Sequence, residues 1–328
     1  MSARSAQEAN DSYRAPCWLP GGHLQTIYPY LFRRLPTPPL QRERWETPDG
    51  DFIDVDWLAG DPSKPLVMLF HGLEGCSRSH YARALLVTLR SHRWRGAVVH
   101  FRGCSGHPNR LPRAYHSGDV DEIDWVLQRM ATAAPDVPRF AAGVSLGGNA
   151  LLKWIAARGP DCERIVMRAA AISAPMDLSA AGLLLGRGFN RVYTWHFLRS
   201  LKRKSLAKLA RFPGLYDARA VARARDLYQF DNLVTAPLHG FRDTDDYWSR
   251  ASSKPDLARI QLPTLIVHAR NDPFQPGPLL PQASEVSSKV TLEYCEQGGH
   301  AGFVMGRFPG NLDWLPRRLL AFFDAAGA

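Results

Sequence analysis

The sequence predicts an α/β fold: a mostly parallel sheet flanked by helices, with an inserted helical lid. Three observations carry that expectation. Short β-branched runs alternate with helix-length segments, a glycine-flanked serine sits at one strand-to-helix junction, and the alternation stops over residues 176–261. Such alternation implies strands in a parallel sheet with helices on both faces. At 328 residues and 45% hydrophobic content, the chain can bury one large core and still carry a substantial insertion.

The elements follow in order. Residues 1–40 form an arm rich in proline and aromatics, and its segment 16–28 is too apolar for a solvated tail, so it is expected to pack on the body near the mouth of a site. Residues 43–57 alternate in polarity around Asp49-Gly50, a hairpin signal. Strand, helix, strand units then repeat: a strand at 65–70 leads to a helix near 79–92, a strand at 97–101 to a helix near 118–134, a strand at 140–144 to the glycine-flanked serine, and a strand at 169–173 ends at Ala174-Pro175. The core is therefore assigned to 41–175 and 262–328, and the lid to 176–261. From 180 to 260 the chain carries 15 Lys and Arg against 7 Asp and Glu, so most of the formal net charge of +10 is local to the lid. The run 182–211 mixes apolar and basic residues as a helix at an anionic membrane surface would, with Lys202, Arg203, Lys204, Lys208 and Arg211 meeting head groups. A solvated face on an ordinary lid helix explains the same composition.

Gly143-Val144-Ser145-Leu146-Gly147 carries the chemistry. A serine nucleophile has to project from a strained turn at the end of a buried strand, and the residues two before and two after it crowd the backbone, so glycine is wanted at both. The segment reads as the nucleophile elbow of an α/β-hydrolase. The helix beginning after it aims its N-terminal amides at the place where negative charge develops in acyl transfer. A serine hydroxyl also needs a base and an orienting acid, and in this fold they follow in the order Ser, acid, His. Asp272 is the expected acid, in the polar turn after the strand that starts near Leu262. His300 is the expected base, in the glycine-rich loop after the strand 289–295. Two backbone amides should form the oxyanion hole: Leu146, after the nucleophile, and Leu73, in the His71-Gly72-Leu73-Glu74-Gly75 loop after an earlier strand. His71 precedes the serine and reads as a brace for that loop.

Composition excludes several alternatives. No apolar run approaches the ~18 residues of a membrane span, and residues 1–10 show no hydrophobic signal segment, so a cytoplasmic protein, in contact with membrane at most from its surface, is expected. Five cysteines, Cys17, Cys76, Cys104, Cys162 and Cys295, form no C-x-x-C pair and read as reduced thiols. A basic pI near 9.6 without a nucleic-acid-binding signature argues for no specific nucleic-acid partner. Serine at the elbow, where epoxide hydrolases and dehalogenases carry aspartate, argues against those chemistries.

Six segments together, Pro20-Gly-Gly-His-Leu-Gln-Thr-Ile27, His71-Gly-Leu-Glu-Gly75, Arg102-Gly-Cys-Ser-Gly106, Tyr115-His-Ser-Gly-Asp119, Gly143-Val-Ser-Leu-Gly-Gly-Asn-Ala-Leu151 and Gly298-Gly-His-Ala-Gly-Phe303, resemble the bacterial YheT-like α/β-hydrolases. These are relatives of the eukaryotic ABHD hydrolases, which carry an N-terminal membrane anchor that this sequence does not show. The resemblance implies carboxylesterase or acylglycerol-lipase-like activity, with Ser145, Asp272 and His300 at the triad positions. His116 and Asp121 also fit an H-x-x-x-x-D pattern associated with acyltransferase activity in such hydrolases, although Asp119 and Asp121 read more simply as helix-capping and dipole-compensating charges. The expected reaction is two-step acyl transfer to water on a small-molecule or lipid ester, with no metal or organic cofactor. The same acyl-serine handed to another alcohol or a thiol would make an acyltransferase, and a non-catalytic binding protein is the reading from another class.

Overall fold

In the computed structural model, which describes residues 12–33 and 35–325, the chain first turns back on itself at Gly50. Its φ of +81° is open to glycine at no steric cost, and its amide closes on the Thr47 carbonyl at 2.9 Å. The turn joins β1 (Gln41–Glu46) to β2 (Phe52–Leu58) in antiparallel register, Trp45 facing Ile53. Residues 1–10, on which the expected lack of a signal segment rests, lie outside the described residues.

Six further strands complete the sheet: β3 (Leu66–Phe70), β4 (Arg95–His100), β5 (Arg139–Val144), β6 (Arg168–Ile172), β7 (Thr264–Ala269) and β8 (Val290–Cys295). Their spatial order is β1-β2-β4-β3-β5-β6-β7-β8, antiparallel through β4 and parallel from there on. Every residue of β3 and of β7 is buried, as strands covered on both faces require. The centre is built from small residues, Ala141 and Ala142 on β5 beside Ala169, Ala170 and Ala171 on β6. They let helices approach closely.

The α-helices of six or more residues are α1 (Gly22–Phe32) in the arm, α2 (His80–Ser91), α3 (Val120–Ala133) and α4 (Leu146–Arg158), then α5 (Leu178–Leu185), α6 (Arg191–Leu209), α7 (Ala218–Arg223) and α8 (Thr244–Ala251) between β6 and β7, and α9 (Trp314–Asp324) at the end. Alternation along the strands sorts them into two layers. Met68 and Phe70 face α3 and α4 on one side of the sheet, whereas Val67 and Leu69 face α2 and α9 on the other. Leu151, Leu152 and Ile155 of α4 are fully buried, each burial stabilising by roughly 1.5–3 kcal/mol. Asp119 caps α3 by accepting from the Glu122 amide, and Asp121 lies in the first turn, so these carboxylates offset the positive helix end as their positions suggest.

Between β6 and β7 the apolar, basic run 182–211 is two helices rather than one. Gly186 ends α5, Gly188 takes a φ of +51°, and the Asn190 side chain donates to the Pro273 carbonyl at 2.7 Å. The two glycines were the visible signal for this break. The cations of α6, with Arg211 just beyond it, also do not form one outward face. Lys204 pairs with Glu74 at 2.7 Å, Lys208 donates to the Asn109 side chain and the carbonyls of Leu111, Pro112 and Arg113, and Arg211 donates to the carbonyls of Asn109 and Arg110. Three of the five cations expected at a membrane surface are thus spent fastening α6 to loops of the body. The reason is the loop at 109–113, whose carbonyls lack ladder partners and must find donors.

Candidate active site

Ser145 stands between β5 and α4 with φ 53° and ψ −122°, a region costly for a side-chain-bearing residue. The packing around it leaves no alternative path. A Cβ at Gly143 would overlap the Gly147 carbonyl, and one at Gly147 would sit 2.5 Å from the Phe70 carbonyl oxygen. The turn is tied down by its own backbone, the Ser145 amide on the Ile172 carbonyl at 2.8 Å and the Ser145 carbonyl accepting from Asn149 at 3.1 Å. Gly72 lies against the serine, where an added Cβ would be 3.1 Å from that of Ser145.

The loop at 71–75 is braced from below. His71 is completely buried, and burial pushes its pKa down to about 3. Its Nε2 accepts from the Phe101 amide at 3.2 Å, so the neutral ring carries its proton on Nδ1, which faces the Gly72 carbonyl at 2.7 Å. The amides on either side of Leu73 are engaged, Gly72 with the Tyr81 hydroxyl and Glu74 with the Tyr115 hydroxyl, each at 2.9 Å. Leu146 opens α4, where backbone amides have no intrahelical acceptor.

Asp272 and His300 come together from loops after β7 and β8. His300 Nδ1 donates to Asp272 Oδ2 at 2.9 Å, the Phe274 amide donates to Asp272 Oδ1 at 2.8 Å, and the imidazole stacks on the Phe274 ring at 4.0 Å between centroids. Asp272 is fully buried. Burial alone would raise its carboxyl pKa, but His300 and His268 outweigh it and hold the group well below the usual carboxylate range. His268 Nε2 lies 3.3 Å from Asp272 Oδ2. Sequence reasoning missed it because it sits inside β7, four residues before the acid.

Ser145, Leu73 and Leu146 line a cavity of about 710 Å³ whose walls are mainly apolar, among them Leu185, Phe197, Phe230, Trp248 and Phe274. That size and character suit an organic ligand with an acyl chain. Glu74, next to Leu73, gathers the Tyr115 hydroxyl, Lys204 and Ser200, which couples the 71–75 loop to α6. Burial pushes the Cys104 thiol up to about 12, which keeps it protonated and a poor nucleophile at neutral pH. The H-x-x-x-x-D pair does not assemble: His116 is half-buried, packs on the His239 ring at 4.6 Å and faces Asp119, whereas Asp121 is exposed on α3. Among the described residues no group of three or more His, Cys, Asp and Glu is placed to hold a metal ion.

The profile of the family described as "alpha/beta hydrolase fold" matches residues 65–306. The chain belongs to that family. Within it the chain falls in the YheT-like branch: it is 40% identical over 305 residues, 90% of this chain and 88% of the other, to the Escherichia coli (strain K12) protein named "Putative esterase YheT". It is 26% identical over 325 residues to human Phospholipase ABHD3, covering 96% of this chain and 79% of that one. The solved structure of Est1E from Butyrivibrio proteoclasticus with ferulic acid bound shares the fold, with a TM-score of 0.56 and 16% identity over 87% of this chain and 98% of that one. The relatives are hydrolases of the esterase and lipase type. No helix among the described residues is long and apolar enough to cross a membrane.

Asp231 is a partly buried carboxylate on the cavity wall, held by the Thr235 hydroxyl at 2.5 Å and the Trp248 indole at 2.8 Å. Burial raises its pKa from 3.8 to about 6 against those two hydrogen bonds. A folded-state pKa above the unfolded one means the folded protein binds the extra proton between about pH 4 and 6, so this group's contribution falls as pH rises through that window. Asp231→Asn should therefore stabilise the protein at pH 8, by on the order of 2–3 kcal/mol relative to its effect at pH 4. Thermal melts of both proteins at the two pH values check this, and an equal effect at both would contradict it.

Proposed function

We propose that this protein hydrolyses carboxylic esters, lipid esters among them, through an acyl-serine at Ser145. The observation that carries the reading is the His300–Asp272 hydrogen bond of 2.9 Å, supplied by two loops of the sheet that also presents the serine turn. Ser145 attacks the ester carbonyl while His300 Nε2 takes its proton. The tetrahedral oxyanion is held by the amides of Leu146 and Leu73, and the imidazolium, stabilised by Asp272, then protonates the leaving alcohol. Water repeats the sequence and frees the acid. The insertion 176–261 serves as the lid over the acyl cavity, the body being 41–175 with 262–328. The five unpaired cysteines fit a reducing, cytoplasmic setting.

Lipid esters are favoured by the surface beside the cavity. Phe32 on α1, Phe189 just before α6, and Val192 and Trp195 at its start are all at least half exposed, the Tyr30 hydroxyl joins the two helices through His196 at 3.0 Å, and Arg187, Arg191 and Arg199 are exposed among them. Apolar side chains ringed by cations suit an anionic bilayer surface, each cation contributing on the order of 1 kcal/mol.

Two outcomes test these readings. A fluorophosphonate probe should label wild-type protein at Ser145, Ser145→Ala should lose labelling and esterase turnover together, and Asp272→Asn should lower turnover by roughly 10⁴; labelling at a cysteine, or a loss under about tenfold in Asp272→Asn, would overturn the assignment. Sedimentation with anionic vesicles at low salt should weaken in Trp195→Ala and in the Arg191→Gln, Arg199→Gln double variant, with turnover of a soluble short-chain ester unchanged. Binding indifferent to lipid charge and salt, or no binding, would leave this surface without a lipid partner.

A further inference from the structure

The arm motif Gly21-Gly22-His23-Leu24-Gln25-Thr26 has no part in the reaction above, yet it contains two buried polar side chains. Gln25 is completely buried and Thr26 nearly so. An amide has two donors and two lone pairs to satisfy, and Gln25 uses all four. Its Oε1 accepts from the Gly298 amide at 2.8 Å and from Asn271 Nδ2 at 2.9 Å, while its Nε2 donates to the Leu19 carbonyl at 2.9 Å and to Gln297 Oε1 at 2.8 Å. One oxygen thereby bridges the neighbour of Asp272 to the loop that carries His300. Thr26 Oγ1 accepts from the His300 amide itself at 2.8 Å and donates to the Gly22 carbonyl at 2.7 Å.

The loop after β8 depends on such partners because it has no strand ladder to join. Its successive amides at Gly298, Gly299, His300 and Ala301 are accepted by Gln25 Oε1, Asn271 Oδ1, Thr26 Oγ1 and Ser173 Oγ. Two of those acceptors belong to α1, and a third, Asn271, is held by Gln25. Three glycines of the two segments leave room for this contact. A Cβ at Gly22 would overlap the Asn271 carbonyl, one at Gly302 would overlap the Gln25 carbonyl, and one at Gly299 would lie 2.8 Å from the Gly22 carbonyl oxygen. Docking of the arm has independent apolar support from Trp18, Leu19, Tyr28 and Leu35 against Val304 and Leu312.

We propose that Gln25 and Thr26 are positioning residues of the hydrolytic site: from the N-terminal arm they fix the backbone of His300 relative to Asp272, and so hold the imidazole where it can serve Ser145. The proposal rests on the reading of Ser145, Asp272 and His300 as the catalytic set. A reacting group misplaced by about 1 Å costs on the order of 10²-fold in rate, and a loop tied to its neighbours through side-chain acceptors shifts when one is removed.

The decisive pair is Thr26→Val, which keeps the shape and deletes the hydroxyl, and Thr26→Ser, which restores it. With a short-chain p-nitrophenyl ester, Thr26→Val and Gln25→Leu should lose roughly 10–100-fold in kcat with KM within about twofold of wild type, and Thr26→Ser should recover most of the loss. The downfield proton resonance of the His300–Asp272 hydrogen bond should be sharp in wild type and Thr26→Ser and broadened by exchange in Thr26→Val. Wild-type kcat in both Thr26→Val and Gln25→Leu, with Ser145→Ala inactive, would overturn the proposal. If wild type itself hydrolyses no ester, the hydrolytic reading fails instead, and the proton resonance still decides whether Thr26 fixes His300: an equally sharp signal in Thr26→Val would refute it.

Discussion

The left-handed backbone at Ser145 is the constraint around which the middle of the sheet is arranged. A serine with φ 53° is held in that region only where the surroundings over-determine it. They do so from three sides: glycines at 143 and 147 admit the carbonyls of the turn and of β3, the Ser145 amide is committed to β6, and α4 leaves the turn at once. Strain held this way keeps the hydroxyl at the wall of the cavity without a side-chain scaffold of its own. It also explains why β5 and β6 are built from alanine and glycine, since the helix that follows the turn has to pack directly over them.

The other half of the site is organised differently. Asp272 and His300 stand on irregular backbone, where amides and carbonyls need partners outside any ladder. The fold meets that need from distant segments, α1 for the His300 loop and α6 for the loop at 109–113. Charge follows the same logic: Lys204 and Lys208 are cations turned inward, toward the Glu74 carboxylate and the carbonyls of the 109–113 loop. The histidines divide into roles by environment. His71 is neutral and braces a loop, whereas His300 faces a carboxylate that its own proximity helps keep ionised.

What could be read in the sequence follows from this division. Local rules governed the strands, the hairpin at Asp49-Gly50 and the serine turn, since each depends on neighbours a few residues away. Asp272 and His300 were singled out by their order along the chain and their places at strand ends, and the fold brings the two side chains together at 2.9 Å. The spatial placing of β4 between β2 and β3 had no local signal. Nor did the work of Gln25 and Thr26, whose partners lie 273 and 274 residues on; their segment was noticed only as a resemblance. Composition gave the charge of α6 but not its direction, because a lysine beside leucines reads alike whether it meets solvent or a buried carbonyl. Gly186 and Gly188 did mark the break between α5 and α6, and were read through.

The central claim is that an ester's acyl group passes through Ser145. Rapid mixing with an excess of p-nitrophenyl ester, followed by acid quench and peptide mapping, tests it most directly. The account predicts a burst of p-nitrophenol approaching one equivalent per chain wherever deacylation is the slower step, and an acyl adduct confined to the peptide containing Ser145. An adduct on Cys76 or Cys104, or steady turnover with no covalent acyl group on Ser145 when deacylation is shown to limit the rate, would contradict it.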